Sequence, residues 1–259
     1  GPGNDAAFGS LPLATLDING AAAFADPQLV DHAVIYDASL TANRKVLLSD
    51  LFVGTNHKIF IASGSLVKAT DIPAMVSHII VEVVGGGGGG GGGHTGVGAE
   101  VRGAGGGGGG YSRERIAVAA LAASETVTIG AGGAGGTNGN PGSNGGTGGT
   151  TSFGAFLSAT GGVGALYGAG VTAGGAPGSG SGGDLNLTGS YGGLSTPAPG
   201  SPTIGWIGFG GAAPIMGVSN LGNVGTSGPA NTGAGGTGGN HVAGSAGAGG
   251  SGICIARWA

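Results

Sequence analysis

Gly130-Ala131-Gly132-Gly133-Ala134-Gly135-Gly136-Thr137-Asn138-Gly139-Asn140-Pro141-Gly142-Ser143-Asn144-Gly145-Gly146-Thr147-Gly148 puts glycine on every third residue: Gly130, Gly133, Gly136, Gly139, Gly142, Gly145 and Gly148. The pattern returns at Gly235, Gly238, Gly244, Gly247 and Gly250, broken only by His241. A period of three belongs to neither helix nor strand. It is that of the left-handed extended helix, with roughly 3.1 Å rise per residue, and it lines one edge with glycine so that a second backbone approaches closely. Gly85 to Gly93 and Gly105 to Gly110 are unbroken glycine, open to approach from all three edges, and read as the central rods of a bundle.

The competing reading of 69 Gly in 259 residues is a flexible coil. Disordered chains stay dissolved through polarity and charge, whereas this one has a positive mean hydropathy, 8% charged residues, and only Asp184 and Arg257 charged beyond Glu125. Such a segment must pack. Each ordered glycine costs roughly 0.5–1 kcal/mol more than alanine, and a segment of Gly, Ala, Ser, Thr and Asn has no side-chain core to offset it. The extended helix has no internal hydrogen bonds, so neighbouring rods must satisfy its N–H and C=O groups. Collagen fails because 11 Pro are spread over the whole chain and the glycine phase changes between segments.

The net charge of −4, without arginine-glycine clusters, argues against nucleic acid. No stretch is long and apolar enough to span a membrane, and no signal peptide opens the sequence. Residues 1–3, beginning Gly1-Pro2, read as the scar of a cleaved expression tag. Residues 4–77 are poor in glycine and read as a β-rich connecting and trimerising region, with short apolar runs at His32–Tyr36 and Lys45–Phe52 and a strand near Lys58–Ala62. Residues 78–259 form the glycine-rich domain. Within it, Ser77–Val84 alternates as a strand, Tyr111–Ile129 reads as two strands with Ala119–Ser124 between them, and 252–259 closes as a strand that returns to Ile79–Val84. Cys254 in that last run reads as a buried small hydrophobe. The expected fold is all-β: a small, jelly-roll-like β-sandwich gripping polyglycine-II rods within 85–110 and 130–251, preceded by a short β-rich segment.

The strand running into polyglycine, the strand headed by Tyr111, the run Thr126-Val127-Thr128-Ile129-Gly130-Ala131-Gly132-Gly133, the Gly149-Thr150-Thr151-Ser152-Phe153-Gly154 segment and the terminal Gly-x-Ile-x-Ile strand resemble the glycine-rich C-terminal domain of bacteriophage tail-fibre proteins. Ile35–Ser39 and Lys45–Leu51 are similar to the segment preceding such domains. The resemblance implies a receptor-binding tip located on the virion, a homotrimer, and two partners: the rest of the fibre, and an outer-membrane protein or lipopolysaccharide on the host. Glycine-rich ectodomains of anaplastic-lymphoma-type receptor kinases also look similar, but those bear cysteines.

Gly130–Gly135 satisfies G-x-G-x-x-G after a strand, yet Thr137-Asn138-Gly139-Asn140-Pro141-Gly142 cannot open a helix and no acidic residue lies near twenty positions on. A P-loop is excluded because no lysine follows Lys68. Glycoside hydrolysis needs two carboxyl groups; the glycine-rich half offers only Asp184, with Glu100, Glu114 and Glu125 reading as solvated strand charges. No nucleophile elbow occurs, and His32, His57, His78, His94 and His241 lack metal-ligand spacing. No catalytic residue, metal or cofactor is therefore expected. The period lapses around Leu194–Ile204 and Ala212–Leu221, and loops on rigid scaffolds carry binding residues, often aromatic. The candidate receptor-binding residues are Tyr191, Pro199, Trp206, Phe209, Met216 and Asn220, though gap-filling beside the rods is a competing role for each aromatic. A purely structural fibre segment and an ice-binding bundle are the alternative functions.

Overall fold

A computed structural model describes residues 32–37, 42–47, 56–94, 102–168, 170–196, 208–215, 224–240 and 244–258. The chain forms two compact units, Gly1–Thr55 and Asn56–Ala259. In the first, β1 (His32–Asp37) and β2 (Ala42–Leu47) pair antiparallel, His32 opposite Leu47 and Asp37 opposite Ala42.

The second unit begins as a β-sandwich of two antiparallel five-stranded sheets. One is ordered β10 (Gly180–Ser181), β9 (Leu157–Ala159), β8 (Thr151–Phe153), β7 (Ser124–Thr128), β4 (Gly64–Val67). The other is ordered β11 (Leu185–Leu187), β6 (Tyr111–Ala117), β5 (His78–Val84), β12 (Ile253–Trp258), β3 (His57–Phe60). The alternation in β5 puts Ile79, Val81 and Val83 inward, fully buried with Leu66, Ile116, Val127, Phe153 and Cys254. The terminal strand returns as the sequence implies: Ile253 lies opposite Val84 and Trp258 opposite Ile79. The short strands β4 and β8–β11 have no counterpart in the sequence reading, because runs of two to four residues are too brief to show a period.

Strands of the sandwich continue directly into rods. Val84 leads into a rod at 85–93, a rod at 103–110 leads into Tyr111, β7 leads into 130–138, and 142–150 leads into β8. β9 likewise leads into 160–168, 172–179 into β10, β11 into 188–195, and 244–252 into β12.

Hydrogen bonding shows the three-residue turn directly. Successive N–H groups of the 85–93 rod rotate among three neighbours: Gly85 to Gly110 O, Gly86 to Gly149 O and Gly87 to Gly250 O, then Gly88 to Gly107 O, Gly89 to Gly146 O and Gly90 to Gly247 O. Its carbonyls accept in the same rotation from three more rods, at Gly162, Gly133 and Gly236 and again at Ala165, Gly136 and Gly239. The neighbours it donates to run antiparallel and those it accepts from run parallel. The 103–110 rod is surrounded in the same way. It donates to 160–168, 188–195 and 233–240, and accepts from 85–93, 172–179 and 208–213. Both central rods thus have neighbours on every side, which is why they are almost pure glycine. A Cβ on any of Gly85–Gly92 would enter a neighbouring backbone carbonyl. A net gain of about 0.5–1.5 kcal/mol per backbone hydrogen bond is of the size needed to offset the ordering penalty of glycine, because most central residues both donate and accept.

The glycine periods are each a hairpin of two rods. Gly146 N–H donates to Ala134 O, Gly149 to Ala131 and Ser143 to Thr137, so 130–138 and 142–150 run antiparallel about a turn at Asn140-Pro141. Gly133 and Gly136 pass closest to the carbonyls of Gly146 and Ser143, while Gly145 and Gly148 pass closest to those of Gly89 and Gly86 in the central rod. Gly247 to Thr237 and Gly250 to Ala234 make the second hairpin.

Candidate functional site: the outer rods and the far end of the bundle

Because strands feed rods, the sandwich closes one end of the bundle, and the described rod ends at 94, 102, 139–142, 168, 172, 196, 208, 240 and 244 gather at the other. Asn138 ties this far end together. Its Oδ1 accepts from Gly93 N–H at 2.8 Å, and its Nδ2 donates to Gly244 O at 2.8 Å and to Asn240 O. Asn144 Oδ1 accepts from Tyr167 N–H at 2.9 Å. The sequence singled out neither asparagine. Their only signal is a polar side chain able to take up backbone groups where a rod ends and its neighbours no longer do so.

Of the candidate residues, Tyr191 and Phe209 stand in described structure; Pro199, Trp206, Met216 and Asn220 lie outside the described residues. Tyr191 is in the 188–195 rod and Phe209 in the neighbouring 208–213 rod, joined by Gly193 N–H to Phe209 O at 2.7 Å and Ser190 N–H to Ala212 O at 2.9 Å. Leu194, three residues from Tyr191, shares its edge. All three are well exposed, Tyr191 at 67%, Leu194 at 54% and Phe209 at 46%. The Phe209 ring lies against Gly193, where a Cβ would stand 2.7 Å from its Cε1. One side of Phe209 thus fills the gap left by a glycine while the other faces solvent. Leu194 was missed because an isolated leucine among glycines has no pattern to mark it.

Val163 and Leu166 repeat the arrangement on the 160–168 rod, and Ile215 is exposed just past the 208–213 rod. Ile215 holds φ at 67°, a left-handed conformation that a β-branched residue adopts only where the surroundings impose it. At the other end of that rod pair, Ala213 packs on Val84 and Tyr111, which puts Pro214 and Ile215 at the sandwich end of the bundle.

Charge is concentrated in the sandwich. Tyr111 O–H donates to Glu82 Oε1 at 2.7 Å and Arg257 lies 3.0 Å from Glu82 Oε2. Burial first, then the Glu82 contact, pushes the Tyr111 phenol above its ordinary value. Burial and the charge of Asp184 raise the Glu114 carboxyl. Burial would also raise Asp71, but Lys58 at 2.6 Å and the Val67 N–H hold it below its ordinary value. Burial lifts the Cys254 thiol to about 12. Among the described residues no group of three or more His, Cys, Asp or Glu stands together as a metal site, and no helix is long and apolar enough to cross a membrane.

The G-x-G-x-x-G run is itself a rod, with Gly133 N–H given to Gly87 O, so no helix N-terminus is present there to meet a pyrophosphate. No curated protein matches the chain. A family model described as a glycine-rich domain matches residues 62–259, which takes in every strand of the sandwich except β3 together with the bundle, and the chain belongs to that glycine-rich domain family.

Proposed function

We propose that the chain is a non-enzymatic adhesin, the receptor-binding tip of a bacteriophage tail fibre on the virion, which recognises an outer-membrane protein or lipopolysaccharide on the host surface. The observation that carries this reading is the division of labour in the bundle. The rods are held mainly by backbone bonds, with polar side chains such as Asn138 and Ser190 adding a few, so the outward side chains Tyr191, Leu194 and Phe209 are free to vary in sequence without touching what holds the fold. Exposed aromatic and aliphatic side chains on a rigid support lose little entropy on binding, which favours them as anchors for sugar rings or protein loops. The strained backbone at Ile215 adds a further exposed apolar residue held in a fixed pose. The tail-fibre likeness supports a homotrimer joined to the rest of the fibre.

The test is binding of the fluorescently labelled trimer to candidate bacterial cells. Tyr191→Ala or Leu194→Ala should weaken binding by on the order of 1–2 kcal/mol, about 5- to 30-fold, with the thermal unfolding curve unchanged. Cell binding that survives every substitution on this edge and in the far-end connections, but is lost on changes within 26–77, would make the bundle a support and move the adhesive surface to the N-terminal region. Release of new reducing ends from host polysaccharide would overturn the non-enzymatic reading.

A further inference from the structure

On the outward face of the sandwich, residues directly opposite one another form a row across three strands: Arg115 on β6, Ile80 on β5 and Arg257 on β12. A cavity of about 240 Å³ opens over this row, lined by Ser77, His78, Ile80, Arg115, Arg257 and Trp258. Of the chain's arginines (Arg44, Arg102, Arg113, Arg115 and Arg257), the last three are on this face, since Arg113 alternates with Arg115 along β6.

The charges are only partly compensated. Glu82 takes Arg257, and Asp184 accepts the backbone N–H of Arg115 at 3.1 Å, but among the described residues the Arg115 guanidinium has no ion-pair partner within 4.0 Å. His78 meets Ser77 Oγ through Nδ1 at 3.0 Å, leaving Nε2 uncommitted. Trp258 alternates with Arg257 along β12 and packs its side chain into the sandwich core opposite Ile79, on the other face of the sheet from the guanidinium groups. The Arg115 and Arg257 guanidinium groups and the His78 ring around a small cavity with an apolar floor at Ile80 offer donors, and no carboxylate lines its wall.

We infer that this cavity is an oxyanion site that binds a phosphate group, the planar guanidinium of Arg115 pairing with two of its oxygens while Arg257 and His78 neutralise the remaining charge. The volume accommodates a phosphate with part of a hexose, so free phosphate and a sugar phosphate are the two sources of the same chemistry. The site is on the sandwich rather than on the rods, and its standing does not depend on the adhesin reading.

Titration of the intact protein with inorganic phosphate and, separately, with glucose 6-phosphate at low ionic strength, followed by the His78 ring-proton shift and by calorimetry, tests it. Saturable binding with a His78 shift is expected, weakened about tenfold or more by Arg115→Gln, the size expected for losing charged hydrogen bonds. Because Arg257→Gln also strips Glu82 of its partner and endangers the fold, Arg115→Gln is the deciding variant, with its thermal midpoint measured alongside. Equal affinity for the two ligands assigns the site to free phosphate, and tighter binding of the hexose phosphate assigns it to a saccharide. Absence of saturable binding by either ligand, or binding indifferent to Arg115→Gln, overturns the inference.

Discussion

The sandwich and the rod bundle are built from the same strands and held by opposite means. Along β5, Ile79, Val81 and Val83 bury side chains on one side with a period of two, and the adjoining core contains Phe153, Leu66 and Trp258. One residue past Val84 the period becomes three, and cohesion passes to N–H groups directed in turn at three neighbours. In the sandwich, stability scales with what the side chains contribute. In the bundle it depends on side chains being absent, because two backbones at hydrogen-bonding distance leave no room for a Cβ. Sandwich positions should therefore tolerate smaller residues at a graded cost, whereas central rod positions should tolerate almost nothing.

The sharpest break of that contrast is Gly89→Ala. Its single methyl would enter the carbonyl of Ala134, and backbone on every side leaves nowhere to shift. Loss of the folded domain by circular dichroism is expected, against a change within about 0.5 kcal/mol for Ala134→Ser on the exposed edge. The periodic glycines should grade as well. Gly133→Ala should be severe, while Gly139→Ala, whose nearest neighbour is Pro141 O at 2.9 Å in a turn, should be the mildest of the seven. Uniform tolerance along Gly130–Gly148 would dismiss the lattice account.

On the sandwich side, Phe153→Ala should lower stability by about 3–5 kcal/mol in denaturant titration, the range for emptying a buried aromatic site. A loss comparable to that of Gly89→Ala would erase the distinction between the two regions. At their junction, Tyr111→Phe should cost about 1–3 kcal/mol by removing a buried hydrogen bond to a carboxylate.

The same junction gives the protein an alkaline limit. Tyr111 and Cys254 both have folded pKa values above their unfolded ones, so their contribution is complete below the unfolded values and is lost as pH rises, for Cys254 between 9.0 and about 12. Cys254→Ala should flatten that limb of a stability–pH curve. The smallest effect belongs to Tyr191→Ala: with the side chain two-thirds exposed on an outer rod, stability should change by less than about 0.5 kcal/mol. A larger loss would make Tyr191 part of the scaffold and weaken its role as a contact residue.

Much of this was legible in the residues themselves. The alternation of β5, the return of the terminal strand and the central place of the polyglycine runs all follow from which positions have side chains. The short strands β8 to β11 were not legible, being too brief for a pattern, and neither was the turn inside Gly130–Gly148. Glycine recurs in phase through Asn140-Pro141 because Gly133 and Gly136 pass closest to the partner arm while Gly145 and Gly148 pass closest to the central rod, so each arm demands it for its own neighbour. For the candidate site, Tyr191 and Phe209 were visible as large residues in a small-residue segment, but their placement on adjacent rods, with Leu194 on the same edge as Tyr191, was not.

The sequence by itself determined that the chain must fold through its backbone, since glycine every third residue and an almost uncharged second half leave no other source of cohesion. Only the tertiary structure decided which rod meets which, in which direction, and which outward side chains become neighbours. A glycine records that something passes close by; it has no side chain with which to specify what that something is, so partner choice is decided by the order in which the sandwich strands feed the rods.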